Sequence, residues 1–414
     1  MKISKITDPA LQNAFLKRRT LTVLLFILLS VSINAREIIL DSIYIRQPSS
    51  VYSSLINLKL ELYKIIQAVP VDDNVIFAGW KDGNNLIYIK EFRDSGINYI
   101  YLYESNFRRN TKLAQINGAV TCADMNSAGN RLLIKTITFS QNETKSNFII
   151  FDINKNSRTT SVSNSYFSDF TFSPDGNSLI RHTSAGITEM KFSSGKEKTL
   201  IPVNLYSSYI QPDGLTNAFI SPDGERTAVI TGGGGSYKCL LFKNRTLDYI
   251  LTDVTSASEF FWINSSEFVY RSGYSAFYKA GIFNTVTRKK RDLGPASLNT
   301  NITYSPSAGM ISFLKESLVN IYSTGNKKLI SLPLEGEDIR FAPDRNRFCI
   351  LFNNSLFIVK KSVIESKMFF LKRKSAEIAD IYTKALNEAD VHENDFSKQF
   401  IIRKLSVYSG FTKK

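Results

Sequence analysis

Histidine and cysteine are scarce in this sequence. Its 414 residues include two histidines, His182 and His392, and three cysteines, Cys122, Cys239 and Cys349. Neither histidine has a Cys, Asp or Glu at ligand spacing, which argues against a His-based metal site. A Ser-His-Asp triad would have to use one of the two. Three widely spaced cysteines form no disulfide framework, so we expect buried thiols.

The sequence also lacks the short motifs of common catalytic sites. It contains no G-x-S-x-G nucleophile elbow. The glycine-rich stretch Thr231–Lys238, TGGGGSYK, lacks the G-x-x-x-x-G-K-[ST] pattern of a phosphate-binding loop, and we expect a flexible hairpin there. The adjacent carboxylates Asp72 and Asp73 are expected to be solvated at the start of a strand. The sequence therefore predicts no cofactor, no metal site and no catalytic residue.

One apolar run lies near the N-terminus, and it is short. Leu21–Ile33 holds 13 residues, fewer than the roughly 20 that a membrane-spanning helix needs. Three basic residues at 17–19 precede it and Ala35 follows it, which is the pattern of a secretory signal peptide. We therefore predict a signal peptide at residues 1–35 and a periplasmic protein. The alternative is an uncleaved membrane anchor.

Basic residues outnumber acidic ones. The formal net charge is +15, and loss of residues 1–35, which hold five basic residues and one acidic residue, would leave +11. Such an excess favours weak contact with anionic envelope surfaces. The alternative is a general use of lysine on the surface. The densest basic cluster, Arg288–Arg291, is predicted to lie in a strand and not in a nucleic-acid motif, so no nucleic acid is expected as a partner.

The tetrapeptide Ser-Pro-Asp-Gly occurs twice, 48 residues apart, each time between two apolar runs. Proline presets φ at the second position of a tight turn, Ser and Asp suit the first and third, and Gly tolerates a positive φ at the fourth. Two β-runs around such a turn predict a hairpin, and its recurrence predicts a repeat architecture. The predicted turn residues are Ser173, Pro174, Asp175 and Gly176, and Ser221, Pro222, Asp223 and Gly224.

Degenerate copies of this unit occur along the chain. Ala342, Pro343 and Asp344 form a third turn of this type, and weaker copies lie near residues 82, 127, 264 and 305. From residue 127 onward the turns are spaced by roughly 46, 48, 43, 41 and 37 residues, near the period of a four-stranded propeller blade. Further strand-like segments follow each turn. The sequence therefore predicts an all-β propeller of seven four-stranded blades.

The strand–SPDG–strand unit with an apolar third strand resembles the WD40-like repeat of TolB-type β-propellers. The resemblance covers residues 70–361 and rests on Ser173–Gly176 and Ser221–Gly224, with Pro343 and Asp344 as a less complete copy. It implies a bacterial, exported β-propeller in which these residues are structural turns and not an active site.

The two ends of the chain are expected to differ. The seventh unit lacks an obvious fourth strand, and we predict that the segment Ile56–Ile66, INLKLELYKII, supplies it, because an open ring would expose sheet edges. Ile378, Ile381 and Tyr382 recur at helical spacing, so a short helical tail is predicted, either docked on the rim or binding a partner. The predicted domains are a signal peptide at 1–35, a propeller at 36–361 and a helical extension at 362–414.

These features favour a non-catalytic role. We expect an exported scaffold for protein–protein interactions in the bacterial cell envelope, with an envelope protein of unknown identity as its partner. The alternative is a propeller that binds a small molecule or a glycan. A lyase or hydrolase centred on the funnel is less favoured, because histidines and metal ligands are scarce.

Overall fold

A computed structural model describes residues 49–412 apart from nine gaps. The gaps are residues 93–95, 140–143, 164–169, 212–213, 234–235, 275–276, 297–301, 316–317 and 389–394. The predicted signal peptide, at residues 1–35, and His392 lie outside the described residues. Within the described part of the chain, no helix is both long and apolar enough to cross a membrane.

After strand β1 (Val69–Asp72), the strands form consecutive antiparallel sheets of four. The first sheet contains β2 (Val75–Trp80), β3 (Asn85–Phe92), β4 (Ile97–Glu104) and β5 (Arg109–Asn117). The second contains β6 (Ala119–Met125), β7 (Arg131–Phe139), β8 (Thr144–Asp152) and β9 (Ser157–Ser163). The third contains β10 (Phe170–Phe172), β11 (Ser178–Thr183), β12 (Gly186–Lys191) and β13 (Glu197–Pro202).

The fourth and fifth sheets are joined into one eight-stranded sheet by the single pair Val254 and Ser272. The fourth contains β14 (Leu215–Ile220), β15 (Arg226–Gly233), β16 (Ser236–Lys243) and β17 (Thr246–Val254). The fifth contains β18 (Phe260–Trp262), β19 (Glu267–Tyr274), β20 (Phe277–Asn284) and β21 (Lys290–Pro295). The sixth contains β22 (Thr303–Ser305), β23 (Met310–Lys315), β24 (Leu318–Ser323) and β25 (Leu329–Glu335).

The seventh sheet takes strands from both ends of the chain. Its first three strands are β26 (Asp338–Phe341), β27 (Arg347–Phe352) and β28 (Ser355–Lys360), and β1 pairs with β28 as the fourth. The prediction that Ile56–Ile66 supplies this strand is wrong, because residues 56–65 lie in an α-helix and Ile66 in the turn that follows it. Its buried residues recur every three or four positions, which is the period of a helix face and not of a strand.

Apolar side chains fill the space between neighbouring sheets. Each consecutive pair of sheets shares a buried cluster, in which β-branched and aromatic side chains from facing strands interlock. The first and seventh sheets share one as well, where Trp80 packs with Leu351. Cys239 and Cys349 are buried in these clusters, as predicted, whereas Cys122 is exposed. The all-β prediction with four-stranded antiparallel sheets is confirmed.

One end of every sheet carries two adjacent turns. In all seven sheets the residue after the third strand donates its N–H to a carbonyl of the turn between the first and second strands, at 2.7 to 3.3 Å. The donors are Ser105, Ile153, Phe192, Asn244, Thr285, Thr324 and Lys361. We call this end of the sheets the turn face. In the seventh sheet a helix starts at Lys361, where the other sheets have their second turn.

Three helices pack against the sixth and seventh sheets. They are α1 (Ser49–Ile65), α2 (Lys361–Glu388) and α3 (Asp395–Thr412). Leu62 of α1, Ile378 of α2 and Ile401 of α3 are buried in one cluster with side chains of both sheets. The C-terminal helices are therefore docked on the sheets and are longer than the short tail predicted.

A buried ion cluster ties the helices to the sixth sheet. Glu335, at the end of β25, pairs with Lys59 of α1 at 2.9 Å and with Lys404 of α3 at 3.3 Å. The Tyr408 hydroxyl donates to the same carboxylate at 2.8 Å, and the Tyr63 hydroxyl donates to the Glu335 carbonyl. Burial would raise the pKa of Glu335, but the two ammonium groups and Tyr408 outweigh it and lower the pKa to about 2.

Candidate functional site

The first strands of the sheets line a cavity of about 590 Å³, which we call the first-strand cavity. Strands β6, β10, β14, β18 and β22 contribute consecutive residues to its wall, and Arg340 of β26 adds a side chain from the seventh sheet. Each wall strand is short, between three and seven residues, and is followed by a tight turn. The cavity therefore depends on residues that lie far apart in the sequence.

Eight aromatic side chains contribute to the apolar wall of the first-strand cavity. Phe148 packs on Phe170 with ring centroids 3.8 Å apart, and Phe219 stacks on Phe260 at 4.9 Å. The other four aromatic residues of the wall are Phe172, Phe261, Trp262 and Tyr304. Flat aromatic surfaces suit apolar side chains or the faces of sugar rings.

Glu259 is the most buried carboxylate at the wall. Only 5% of the residue is exposed, and its Oε1 accepts a hydrogen bond from Arg271 at 2.6 Å and one from the Ile302 N–H at 2.9 Å. Burial raises the pKa of Glu259, and the guanidinium of Arg271 opposes this only in part. The pair is thus neutralised within the wall.

A second charged group of the wall lies around Arg340. Its Nε lies 3.2 Å from Asp338 and its Nη1 lies 3.5 Å from Asp124, while the guanidinium stacks over the Phe77 ring at 5.1 Å. Although burial works against the cation, these two carboxylates raise the pKa of Arg340. Asp124 exposes 46% of its side chain and lines the cavity, and burial raises its pKa.

The two Ser-Pro-Asp-Gly turns lie on the turn face beside the cavity and have the same hydrogen bonds. Ser173 Oγ donates to Asp175 at 2.5 Å and accepts the Ser178 N–H at 2.9 Å. Ser221 Oγ makes the same two bonds, to Asp223 at 2.5 Å and from the Arg226 N–H at 2.9 Å. Pro174 and Pro222 contribute to the cavity wall.

Both turn glycines have the left-handed backbone, with φ of 69° at Gly176 and 77° at Gly224. A Cβ on Gly176 would lie 2.5 Å from the Asn126 side chain, whereas one on Gly224 would meet open space. In the third turn Pro343 precedes Asp344, which accepts the Asn346 N–H at 2.9 Å.

Other residues singled out from the sequence lie apart from the cavity. His182 is in β11, where its ring lies 5.9 Å from Tyr206 and burial lowers its pKa. The prediction that Asp72 is solvated is wrong, because it pairs with Lys90 at 2.5 Å and accepts from Tyr88 at 2.7 Å. Among the described residues, no group of three or more His, Cys, Asp or Glu is arranged to hold a metal ion.

Sequence reasoning missed the charged residues of the cavity. Glu259 and Arg271 are 12 positions apart, and Arg340 lies 216 positions from Asp124. The only local signal is their place beside the first strand of a repeat unit, which a fuller alignment of the seven units against one another could have shown.

Comparisons with known proteins give information on the fold only. No protein-family model and no curated protein matches the sequence. An oligogalacturonate lyase in complex with manganese is similar in structure, with a TM-score of 0.50 and 12% identity over 72% of this chain and 98% of that one. TolB from Acinetobacter baumannii gives a TM-score of 0.39 and 19% identity, over 54% of this chain and 55% of that one.

The β-propeller domain of the Trilobed protease from Pyrococcus furiosus gives a TM-score of 0.43 and 10% identity, over 62% of this chain and 83% of that one. All three identities are too low to carry a function. Consecutive four-stranded antiparallel sheets, six of which place residues of their first strand at a shared cavity, are the arrangement of propeller blades. The chain therefore has a β-propeller fold.

Proposed function

We propose that this protein is an exported, non-catalytic β-propeller that binds another protein of the bacterial cell envelope through the first-strand cavity. The observation that supports this most is the wall of that cavity, which is largely aromatic and apolar. The buried charges at the wall are held in the ion pairs Glu259–Arg271 and Arg340–Asp338. Such a surface favours apolar side chains of a partner over chemistry at an activated group.

In this proposal the seven sheets form a closed ring, and the cavity is its central channel. Contacts between the first and seventh sheets support the closure. The Trp80 indole donates to the Arg340 carbonyl at 2.8 Å, and Arg347 donates to the Ser105 hydroxyl at 3.2 Å. Pairing of β1 with β28 gives the seventh sheet its fourth strand and joins the two ends of the propeller within one sheet.

The export part of the proposal rests on the sequence of residues 1–35. We expect the protein in the periplasm with Arg36 as its first residue, because cleavage would follow Ala35. Mass spectrometry of the protein from a periplasmic fraction measures this directly. An intact Met1 on exported protein would favour a membrane anchor instead.

The binding part is tested by capture of partners from envelope extracts. We expect wild-type protein to retain a partner that Phe261→Ser and Phe172→Ser lose, because both rings lie at the cavity wall. Phe92→Ser is the control, since this residue is 40% exposed and lies away from the cavity. Thermal unfolding shows which variants fold. Equal capture by wild type and by both cavity variants would show that the partner binds elsewhere.

A small-molecule or glycan ligand is the second candidate. The observation that favours it is the cavity volume of about 590 Å³, since ligand pockets span roughly 300–1,000 Å³. Thermal-shift screening with sugars, oligogalacturonate among them, tests it. A stabilisation present in wild type and absent in Phe261→Ser would favour this ligand class over a protein partner.

A further inference from the structure

The second turn of six sheets is basic. These turns join the third strand to the fourth and comprise residues 105–108, 153–156, 192–196, 244–245, 285–289 and 324–328. Together they hold eight Lys or Arg residues and no Asp or Glu. The eight are Arg108, Lys155, Lys196, Arg245, Arg288, Lys289, Lys327 and Lys328, and all are exposed. We call them the basic ring.

The six turns lie on the same side of the molecule. Within each sheet they adjoin the first turn through the N–H bonds described above, and the first turns contact one another between sheets. Ser127 donates to the Pro174 carbonyl at 3.1 Å, from the second sheet to the third, and Arg226 donates to the Ser265 carbonyl at 3.2 Å, from the fourth to the fifth. The basic ring therefore surrounds the turn face.

The opposite ends of the sheets lack this excess of positive charge, and two of the acidic residues there are already paired, Asp73 with Lys90 and Glu259 with Arg271. The described residues of the connections there include three acidic residues, Asp73, Glu259 and Glu337, and no basic residue. The first turns, which lie on the same face as the basic ring, hold two basic residues and five acidic ones, so the two sets of turns together hold ten basic and five acidic residues and keep an excess of positive charge. A general use of lysine on the surface does not produce this separation.

The cations of the basic ring are largely available. Of the eight, only Arg288 takes part in an ion pair among the described residues, with Asp248 at 3.5 Å. Arg108, Arg245, Arg288 and Lys327 have φ between 49° and 65°, a backbone conformation that Gly or Asn adopts with less strain. The prediction that Arg288–Arg291 lies in a strand is correct for Lys290 and Arg291 only, since β21 begins at Lys290.

The same turns also expose apolar side chains. Phe107 is 75% exposed and Val286 is 65% exposed, the two highest values among the large hydrophobic residues of the described chain outside the helices. Apolar side chains between cations are the composition of surfaces that lie in the headgroup region of a membrane. A polar polyanion offers nothing to such side chains.

We propose that the turn face docks flat on an anionic lipid bilayer, with the basic ring at the phosphate level and Phe107 and Val286 among the headgroups. The turns of six sheets at one end of a propeller present charge over a broad face, which matches a planar surface better than a groove-following strand of nucleic acid. The opposite end, which has no basic residue in its described connections, then faces the water, away from the lipid.

The expected strength follows from the charge of the ring. Each Lys or Arg that reaches an anionic bilayer raises the partition coefficient about fivefold. The effect weakens with salt, because the Debye length shortens from about 10 Å at 0.1 M to about 3 Å at 1 M. Three neutralised cations should therefore weaken binding by roughly 100-fold.

The experiment uses protein purified from cells that express the full chain, so that its N-terminus is the one the cell leaves. Flotation is measured with vesicles of phosphatidylglycerol and phosphatidylcholine, and with phosphatidylcholine alone. The ring variant combines Arg108→Asn, Arg288→Asn and Lys327→Asn, because Asn tolerates the positive φ at all three. The control variant combines Lys238→Gln, Lys315→Gln and Lys384→Gln, which removes equal charge from exposed positions outside the basic ring.

A second readout reports which surface meets the lipid, even if residues 1–35 hold the protein on the vesicle. Phe107→Trp should show blue-shifted emission and protection from iodide on anionic vesicles. Phe92→Trp, at the other end of the first sheet, should show neither. Circular dichroism verifies that each variant is folded.

The proposal expects strong binding to anionic vesicles, loss in the ring variant, retention in the control variant and a response from Phe107→Trp alone. Equal losses in both charge variants, or an unchanged emission of Phe107→Trp, would overturn it. So would equal affinity for a soluble polyanion such as heparin. A loss caused by Phe369→Ser with Phe370→Ser, while the ring variant still binds, would move the contact to helix α2.

Discussion

Two buried glutamates of this protein show opposite electrostatics. Glu335 and Glu259 are each only 5% exposed, so each loses most of its hydration. Glu335 faces two ammonium groups and a tyrosine hydroxyl, and its pKa falls to about 2. Glu259 faces one guanidinium and one backbone N–H, and its pKa is raised. The number of partners, and not the depth of burial, decides the sign.

The two buried glutamates also have different structural roles. The cluster around Glu335 joins α1, β25 and α3, so its charge holds separate elements together. Arg271 lies in β19 of the fifth sheet, and Glu259 directly precedes β18 of the same sheet. Their pair therefore joins no separate elements and instead shapes the wall of the first-strand cavity. We therefore expect larger stability effects from the first glutamate than from the second.

The largest effect is expected from deleting residues 375–414. This removes Lys404 and Tyr408 from Glu335, and with them the buried side chains of Ile378, Tyr382 and Ile401. Each large buried side chain contributes about 1.5–3 kcal/mol, so the loss rivals the whole stability of a domain, roughly 5–15 kcal/mol. Thermal unfolding should show no cooperative transition. Deletion of residues 412–414 is the control, and a folded 375–414 deletion would show that the helices are dispensable.

Glu335→Gln should be more damaging than the corresponding substitution of Glu259. It leaves Lys59 and Lys404 buried without the carboxylate between them, which costs about 3–5 kcal/mol in comparable buried pairs. Urea unfolding at pH 7 measures the loss of free energy of unfolding. A loss below about 1 kcal/mol would mean that other groups or water stabilise the two buried ammonium groups without the carboxylate.

The contribution of Glu335 to the free energy of unfolding should also depend on pH. The folded pKa of Glu335, about 2, is below its ordinary value of 4.5, so its contribution is present above pH 4.5 and is lost as the pH falls towards 2. The shift corresponds to about 3 kcal/mol. Urea unfolding of wild type and Glu335→Gln at pH 6 and pH 2.5 isolates it, since the difference between the two proteins should shrink in acid. A constant difference would contradict the assignment.

Glu259→Gln should have the smallest effect, about 1–3 kcal/mol, because its site already favours a neutral side chain. A raised pKa adds stability at low pH that is lost as the pH rises. The cost of Glu259→Gln should therefore decrease from pH 5 to pH 8, opposite to the trend for Glu335→Gln. Urea unfolding of wild type and both variants at pH 5 and pH 8 measures how each loss of unfolding free energy changes with pH. If both losses changed in the same direction, the two glutamates would not differ as proposed.

The predictable part of the fold was local. The Ser-Pro-Asp-Gly turns carry their own hydrogen bonds between Ser173 and Asp175 and between Ser221 and Asp223, so their sequence alone indicates hairpins. The spacing of such turns indicates the four-stranded units. The segment Ile56–Ile66 was misassigned because β-branched and aromatic residues suggested a strand, although Lys59, Leu62, Tyr63 and Ile66 are buried on one helical face.

The unpredictable part was non-local. Glu335 meets Lys404, 69 positions away, and Lys59, which lies in a helix near the other end of the chain. A single sequence holds no signal for such pairs, because each lysine resembles any surface lysine until the sheets bring it inward. The candidate cavity has the same origin, since each of its wall strands contributes only a few residues.

The pairing of β1 with β28 has a consequence in time. Val69 bonds across to Ile358, so β1 has no partner until 289 further residues have been made. At about 5–20 residues per second, synthesis of that length takes roughly 15–60 s. Throughout that interval β1 has no strand to pair with. The seventh sheet can therefore form only after β28 has been made, and until then β1 must stay unpaired or be covered by a chaperone.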